Sequence, residues 1–466
     1  MKMKNMRLLG MLSLLLMAFV FGLPACQSGK VAEQQEVKVR PVSTVVTPDW
    51  AKEATIYEIN TRQFTNSGTF DSIVPHLSRL KALGVDILWF MPVHPIGKLN
   101  RKEGLGSYYS VQDYKGINPE FGTIEDFKIL VDSAHSLGFK VIIDWVANHT
   151  AFDHQWVTDH PEWYKRDKDS KIVSPYDWTD VAQLNFETNP PLWDAMIGDM
   201  KYWLTEANID GFRCDVAGMV PVAFWEKART ELDAVKPVFM LAEDEGTPAL
   251  MTKAFDANYS WEFHHIMNKI AKGEKNASDV FAFNAKNDSL FPANSFRMNF
   301  TSNHDENSWN GTEFERLGAA VKAMAVLGFT APGFPLIYNG QEVALDHRLK
   351  FFVKDEIDWT KESDFTAFYQ NLNKIKSENP ALWNGSFGGD FQRVDVSNSE
   401  KVLAFSRTKG ISKVLVLINL TGEEQETGLK GKEASGSYTN LFTGEKVLLN
   451  SSNSIAMPAW SYMILK

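Results

Sequence analysis

Between residues 55 and 339 the chain repeats one pattern eight times: a short apolar run of strand character, then a segment with helical spacing. The runs are 55–60, 86–91, 140–145, 211–215, 238–243, 255–258, 296–301 and 335–339. Apolar runs that alternate with helices read as a parallel sheet buried on both faces, and eight such units close into a (β/α)8 TIM barrel. Between the first two runs, Ile73, Leu77, Leu80 and Leu83 recur at helical spacing. Thr123 with Asp126 marks a capped start for a helix reaching Leu137.

Where these runs end, charged groups stand. Asp215 closes Ile-Asp-Gly-Phe-Arg-Cys-Asp, Glu243 closes Val-Phe-Met-Leu-Ala-Glu, and Asp305 closes Phe-Thr-Ser-Asn-His-Asp. The 141–149 segment closes on Asn148 and His149. In a barrel the C-terminal strand ends form the rim that carries the chemistry. Arg213 and Asp215 lie two apart on one strand, so both project to the same side, and the guanidinium keeps the carboxylate ionised and oriented, as a nucleophile requires. Glu243 follows Phe-Met-Leu-Ala, an apolar setting that raises a carboxyl pKa and suits a general acid. His149 and His304 offer donors at the same rim, and Asp305 is a third carboxylate able to hold hydroxyls or stabilise positive charge. Two carboxyls held in different protonation states are the usual equipment for glycosidic bond cleavage.

Four segments carry a resemblance to the α-amylase family of glycoside hydrolases, which covers the chain from about Ala54 onward: Asp144-Trp-Val-Ala-Asn-His149, Gly211-Phe-Arg-Cys-Asp215, Ala242-Glu243 and Ser302-Asn-His-Asp305. Tyr57-Glu58-Ile59, Asp113-Tyr114 with Asn118-Pro-Glu-Phe-Gly-Thr123, and Tyr338-Asn-Gly-Gln-Glu342 support it. The resemblance implies a retaining enzyme acting on α-1,4-glucosidic bonds of starch-derived oligosaccharides. Asp215 would be the nucleophile, Glu243 the acid and then base, and Asp305 the transition-state stabiliser. It also implies that His149, Arg213 and His304 hold the sugar at the cleavage point and that Tyr109 stacks under it. The carboxylates do not separate hydrolysis from transfer to another sugar (a 4-α-glucanotransferase). A non-catalytic glycan-binding barrel, the third alternative, usually lacks one of the acids.

Two departures from the family pattern stand out. Many α-amylases carry a Lys-His pair where this chain has Gly218 and Met219, so contacts to the leaving-group side differ. The usual Leu-Pro-Asp-Leu run is Val181-Ala-Gln-Leu184 followed by Asn185, which removes an acidic ligand for a structural calcium. A backbone carbonyl ligand survives the change to Met219, so a structural calcium stays open, although Asn148 alone is poor support for it; no cofactor is required. His94 reads equally as a groove residue or a structural turn histidine, and one or two of Trp145, Trp156, Trp163 and Trp178 would line sugar subsites.

The rest of the chain sets organisation. Lys2, Lys4 and Arg7 precede an apolar stretch, 8–21, and then Leu23-Pro24-Ala25-Cys26, which resembles a bacterial lipobox. Residues 1–25 read as a lipoprotein signal peptide, with acylation at Cys26, and 26–50 as a flexible tether. Localisation is then the cell envelope, anchored in a lipid bilayer. The catalytic barrel spans 51–378, with an irregular inserted subdomain at 150–189, and 379–466 reads as a C-terminal antiparallel β-sandwich. In that last part 394–396, 402–406, 413–419 and 462–465 are the strand candidates. Cys214, the only other cysteine, alternates with Arg213 and Asp215 and so points away from the mouth as a small buried hydrophobe. A net charge of −10 argues against nucleic acid as a partner. Protein partners are not legible.

Overall fold

The computed structural model describes residues 40–466 apart from 188, 432 and 433. The stretch read as a signal peptide (1–25) and Cys26 fall outside the described residues. All eight runs form strands: β1 (Ile56–Ile59), β2 (Ile87–Phe90), β3 (Lys140–Trp145), β4 (Gly211–Cys214), β5 (Phe239–Ala242), β6 (Ala257–Tyr259), β7 (Phe296–Asn299) and β8 (Phe334–Tyr338). They pair in parallel in chain order, and β8 returns to β1 to close the barrel.

Period-two alternation explains why the runs are apolar throughout. Ile87 and Trp89 of β2, Phe239 and Leu241 of β5, and Phe296 and Met298 of β7 fill the barrel interior as one buried cluster. Their neighbours Leu88, Phe90 and Met240 face the helix layer within the larger core. Each such side chain contributes about 1.5–3 kcal/mol by leaving water. Gly211 opens β4 because a Cβ there would lie 1.9 Å from the Phe239 carbonyl oxygen; only a bare backbone lets β4 approach β5. The helix predicted from Thr123 is Ile124–Ser136, with a reciprocal box: Asp126 N–H donates to Thr123 Oγ1 (3.2 Å) and Thr123 N–H to Asp126 Oδ2 (2.8 Å).

The same alternation carries polar groups inward near the C-terminal ends: Glu58 on β1, Asp144 on β3, Arg213 on β4. The inserted interval is anchored at that rim by an antiparallel pair, His149–Ala151 with Val181–Gln183.

Beyond the helix Phe365–Glu378, an antiparallel sheet runs Asp390–Arg393, Val402–Lys409, Ser412–Asn419, Tyr462–Leu465. One face, with Leu403, Phe405, Val416 and Ile464, joins the barrel's outer core. The other, with Val402, Ala404, Leu415 and Leu465, forms a second core with Leu429 and with Leu449 and Met457 from two small ribbons, 425–427 with 455–457 and 436–439 with 446–449. The helix Val321–Thr330 lies between barrel and sheet and is buried except at Lys322, so it shows almost no polar face.

Two expectations are corrected. Residues 40–50, read as the end of a flexible tether, are laid against the barrel. Thr44 N–H donates to the Thr252 carbonyl (2.9 Å), Asn294 Nδ2 to Ser43 O (3.4 Å), and Arg229 Nη2 to Val46 O (3.2 Å), while Arg40 pairs with Asp288 (2.9 Å). The strand expected at 394–396 is instead Asp390–Arg393, and Val396 makes only an isolated bridge to Leu429.

Candidate active site

One guanidinium organises the mouth of the barrel. Arg213, wholly buried on β4, places Nη1 2.9 Å from Asp144 Oδ1 and 3.0 Å from Asp215 Oδ1, and donates through Nε to Tyr259 Oη (3.1 Å). Its Nη2 lies 2.9 Å from Glu243 Oε1, a charge contact without hydrogen-bond alignment. Glu243 Oε2 also accepts from the Val216 N–H (2.8 Å). Three carboxyls therefore share one fixed cation.

Burial sets their protonation. It pushes Asp215 up to about 6, against the pull of Arg213. Asp144 is likewise raised by burial to about 6. Burial pushes Glu243 up to about 7, again opposed by Arg213 and helped by the neighbouring acids. Burial thus brings all three carboxyls up towards neutrality, where protons can be held within the cluster.

On the far side of the mouth, His304 is held by Glu58 Oε1 at Nδ1 (2.5 Å). Its Nε2 lies 2.8 Å from Tyr109 Oη and 3.4 Å from Asp305 Oδ2. Burial works against its charge, yet the carboxylates of Asp305 and Glu58 outweigh it and hold the imidazole up at about 9. An imidazolium donates through both nitrogens. Tyr109 then accepts from His304 and donates to Asp144 Oδ2 (3.0 Å), which fixes its ring parallel to His304, centroids 5.4 Å apart. His149, pushed down to about 4 by burial, is neutral and packs edge-on against Trp178.

These residues line or underlie a cleft of ≈ 490 Å³. Tyr109, His149, Asp215, Glu243, His304 and Asp305 face it. Arg213 does not; it lies beneath, where it orients Asp215 and Glu243. His94 is buried among Tyr114, Trp145 and Trp203 and is structural, and of the four tryptophans singled out only Trp178 reaches the cleft. Sequence reasoning gave no role to Glu58 and Asp144, although an acid inside an apolar strand was the signal that had exposed Asp215. It also missed Lys102, Asp177, Asp180, Trp309, Phe351 and Phe352 in the cleft wall, which come from loops far apart in the chain. Gly218 has a local reason: a Cβ there would fall 2.1 Å from Asp244 Oδ2, a carboxylate engaged by Thr247 N–H (2.7 Å). Asn148 donates to His149 Nδ1 (3.2 Å), and among the described residues no group of three or more His, Cys, Asp or Glu side chains is arranged to hold a metal ion.

A closed parallel barrel with carboxyls of unequal proton affinity converging over one arginine defines a class, the (β/α)8 barrels with rim acid/base sites. Within that class, the profile of the family described as "Alpha amylase, catalytic domain" matches residues 55–181 and 163–396, so the chain belongs to the alpha-amylase family. Residues 402–464 match the "Alpha-amylase SusG C-terminal domain". Catalysis by this family needs no cofactor. The chain is 28% identical to the alpha-amylase MalA of Haloarcula japonica over 85% of its own length and 59% of that protein's. It is 29% identical to an alpha-1,4-glucan:maltose-1-phosphate maltosyltransferase of Rhodospirillum rubrum over 84% of this chain and 60% of that one. The chain therefore spans about three fifths of these two relatives. Among solved structures, that of an alpha-amylase from Lactobacillus plantarum superposes with TM-score 0.81 at 31% identity, covering 89% of this chain and 99% of that one.

Proposed function

We propose that the chain is a retaining α-glucan hydrolase that cleaves α-1,4-glucosidic bonds of starch-derived oligosaccharides. The observation that carries this reading is the pair Asp215 and Glu243 held on neighbouring nitrogens of Arg213, both facing the cleft and both raised by burial. Ionised Asp215 attacks the anomeric carbon while Glu243 gives its proton to the departing glycosidic oxygen. A glycosyl ester on Asp215 results. Glu243, now a base, takes a proton from water, the oxygen attacks the same carbon, and Asp215 leaves as carboxylate. Two inversions give retention. Tyr109 forms the platform under the sugar, His149 and protonated His304 donate to its hydroxyls, and Asp305, facing the cleft, stabilises the positive charge that develops at the ring.

The relative named as a maltosyltransferase favours a second reading, in which a sugar hydroxyl replaces water as acceptor. A time course on maltoheptaose with products resolved by length and anomer decides. Shorter sugars with α-configured new ends are expected; accumulation of sugars longer than the input would make the protein chiefly a transferase, and β-configured ends would sink the retaining mechanism.

The protonation states set the pH profile. Asp215 must be ionised, so kcat/KM falls as pH drops through about 6. Glu243 must be protonated, so it falls again as pH rises through about 7. A narrow bell is expected, its limbs belonging to the coupled cluster. A flat profile across this range would contradict the assignment.

The reading extends to an envelope protein lipid-anchored through Cys26, supported by the basic start, apolar stretch and Leu23-Pro-Ala-Cys26. Cys26→Ser is expected to move the protein from the membrane fraction to the soluble one. Wild-type protein that does not sediment with membranes would end this part of the proposal.

A further inference from the structure

Among the described residues, the cleft wall is continuous over one arc of the barrel mouth and thin over β4 and β5. The loop at 98–107, which follows β2, bridges its neighbours on both sides. Towards β3, Lys102 Nζ lies 3.3 Å from Asp180 Oδ1 and 3.4 Å from the Asp177 carbonyl of the inserted subdomain. Towards β8, Leu105 N–H donates to the Phe352 carbonyl (2.8 Å), and Arg62, from the segment after β1, donates through Nη1 to both Gly106 O (3.1 Å) and Phe351 O (3.3 Å). The loop after β8 is tied in turn to the π-helical turn Glu306–Asn310 after β7: Leu349 N–H donates to Asn307 Oδ1 (2.8 Å), Ser308 Oγ to Leu349 O (2.8 Å), and Trp309 packs on Phe351 with centroids 5.2 Å apart. The fence runs without a break from the subdomain after β3 through β2, β1 and β8 to β7.

Over β4 and β5 the described residues that line the cleft are Asp215, Val216 and Glu243. Just beyond, Gly218 keeps the sill low, since no side chain fits beside Asp244, and a second groove of ≈ 290 Å³ runs past Gly218 and Met219 towards Leu184 and Phe186.

Polarity follows from the chemistry of the proposed function, on which this inference rests. Glu243, at the end of β5, protonates the leaving oxygen, so the departing chain lies over the open arc. The sugar that stays on Asp215 points across the mouth towards β1, the strand opposite β5 in the ring, where the fence stands.

We propose that this fence closes the glycone end of the cleft, so that the protein works from the non-reducing ends of α-glucans and removes short units, while a long departing chain runs out over Gly218. Trp309, Phe351 and Phe352 form the end wall against which the terminal sugar stops. The bridge through Lys102 closes the side next to the inserted subdomain.

The test compares two forms of maltoheptaose, each tagged at the reducing end, one with a free non-reducing end and one with O4 and O6 of its terminal sugar tied as a benzylidene acetal, using the full-length protein. The free sugar is expected to shorten in steps of constant length, and the blocked sugar to react about a hundredfold more slowly. Lys102→Ala combined with Phe352→Ala lowers the fence and is expected to raise the blocked-to-free ratio about tenfold. Equal cleavage of both sugars by the wild type would overturn the inference and leave the hydrolase reading standing. So would a ratio unmoved by the double substitution. Cleavage of neither sugar would remove the hydrolase reading and this inference with it.

Discussion

Asp215→Asn is expected to lower kcat on maltoheptaose by at least ~10⁴-fold, roughly 5.5 kcal/mol of barrier, without loss of the fold. An amide cannot form the glycosyl ester, so the effect falls on kcat more than on KM. Stability has an opposite sign. Burial raises this carboxyl to about 6, so at neutral pH it is held ionised in a place that disfavours its charge. A neutral amide removes that cost, while Arg213 keeps Asp144 and Glu243 as partners. Thermal melting should therefore show Tm unchanged or raised. An inactive variant whose Tm drops would mean that activity was lost by unfolding. A variant that keeps more than about a tenth of wild-type turnover would show that another group is the nucleophile.

The second large effect is a dependence on leaving group. Glu243→Gln is expected to lose about 10³-fold on maltoheptaose, since a sugar alkoxide departs poorly without a proton. With α-maltosyl fluoride, whose leaving group needs no proton, the first step is spared. The second is not, because no base remains to activate water. The maltosyl ester on Asp215 should then accumulate and appear in the intact mass. Added azide, which attacks without a base, should discharge it and release α-maltosyl azide. An equal loss on both substrates would place Glu243 in binding or support and leave the proton donor to be sought elsewhere.

Much of this was legible because buried parallel strands leave a strong trace. The strands β1 to β8 are buried along their whole length and mostly apolar, and each was read within two residues of its observed bounds. Acids at the ends of such runs have few explanations other than a rim site, which is why Asp215, Glu243 and Asp305 stood out. The C-terminal part was read less well. Strands such as Gln425–Thr427 and Gly436–Thr439 are short and half polar, and nothing local separates them from loop. The fence was illegible for another reason. Lys102, Asp180, Trp309 and Phe352 are unremarkable where they stand, and they acquire meaning only when the barrel closes and brings four loops together. The segment 40–50 misled because its composition is that of a linker, whereas its order comes from distant partners, Thr252, Asn294 and Arg229.

That segment also fixes where the protein can be cut. Arg229 is buried, bonded on one side to Asp256 Oδ2 (2.8 Å) and on the other to the Val46 carbonyl. A truncation begun at Ala51, the first residue of the expected catalytic domain, would leave Nη2 of that arginine without its acceptor and would remove Ser43 and Val45, which are buried against the barrel. Any shortened version must therefore keep everything from Arg40 onward, because the contacts that order this segment begin there.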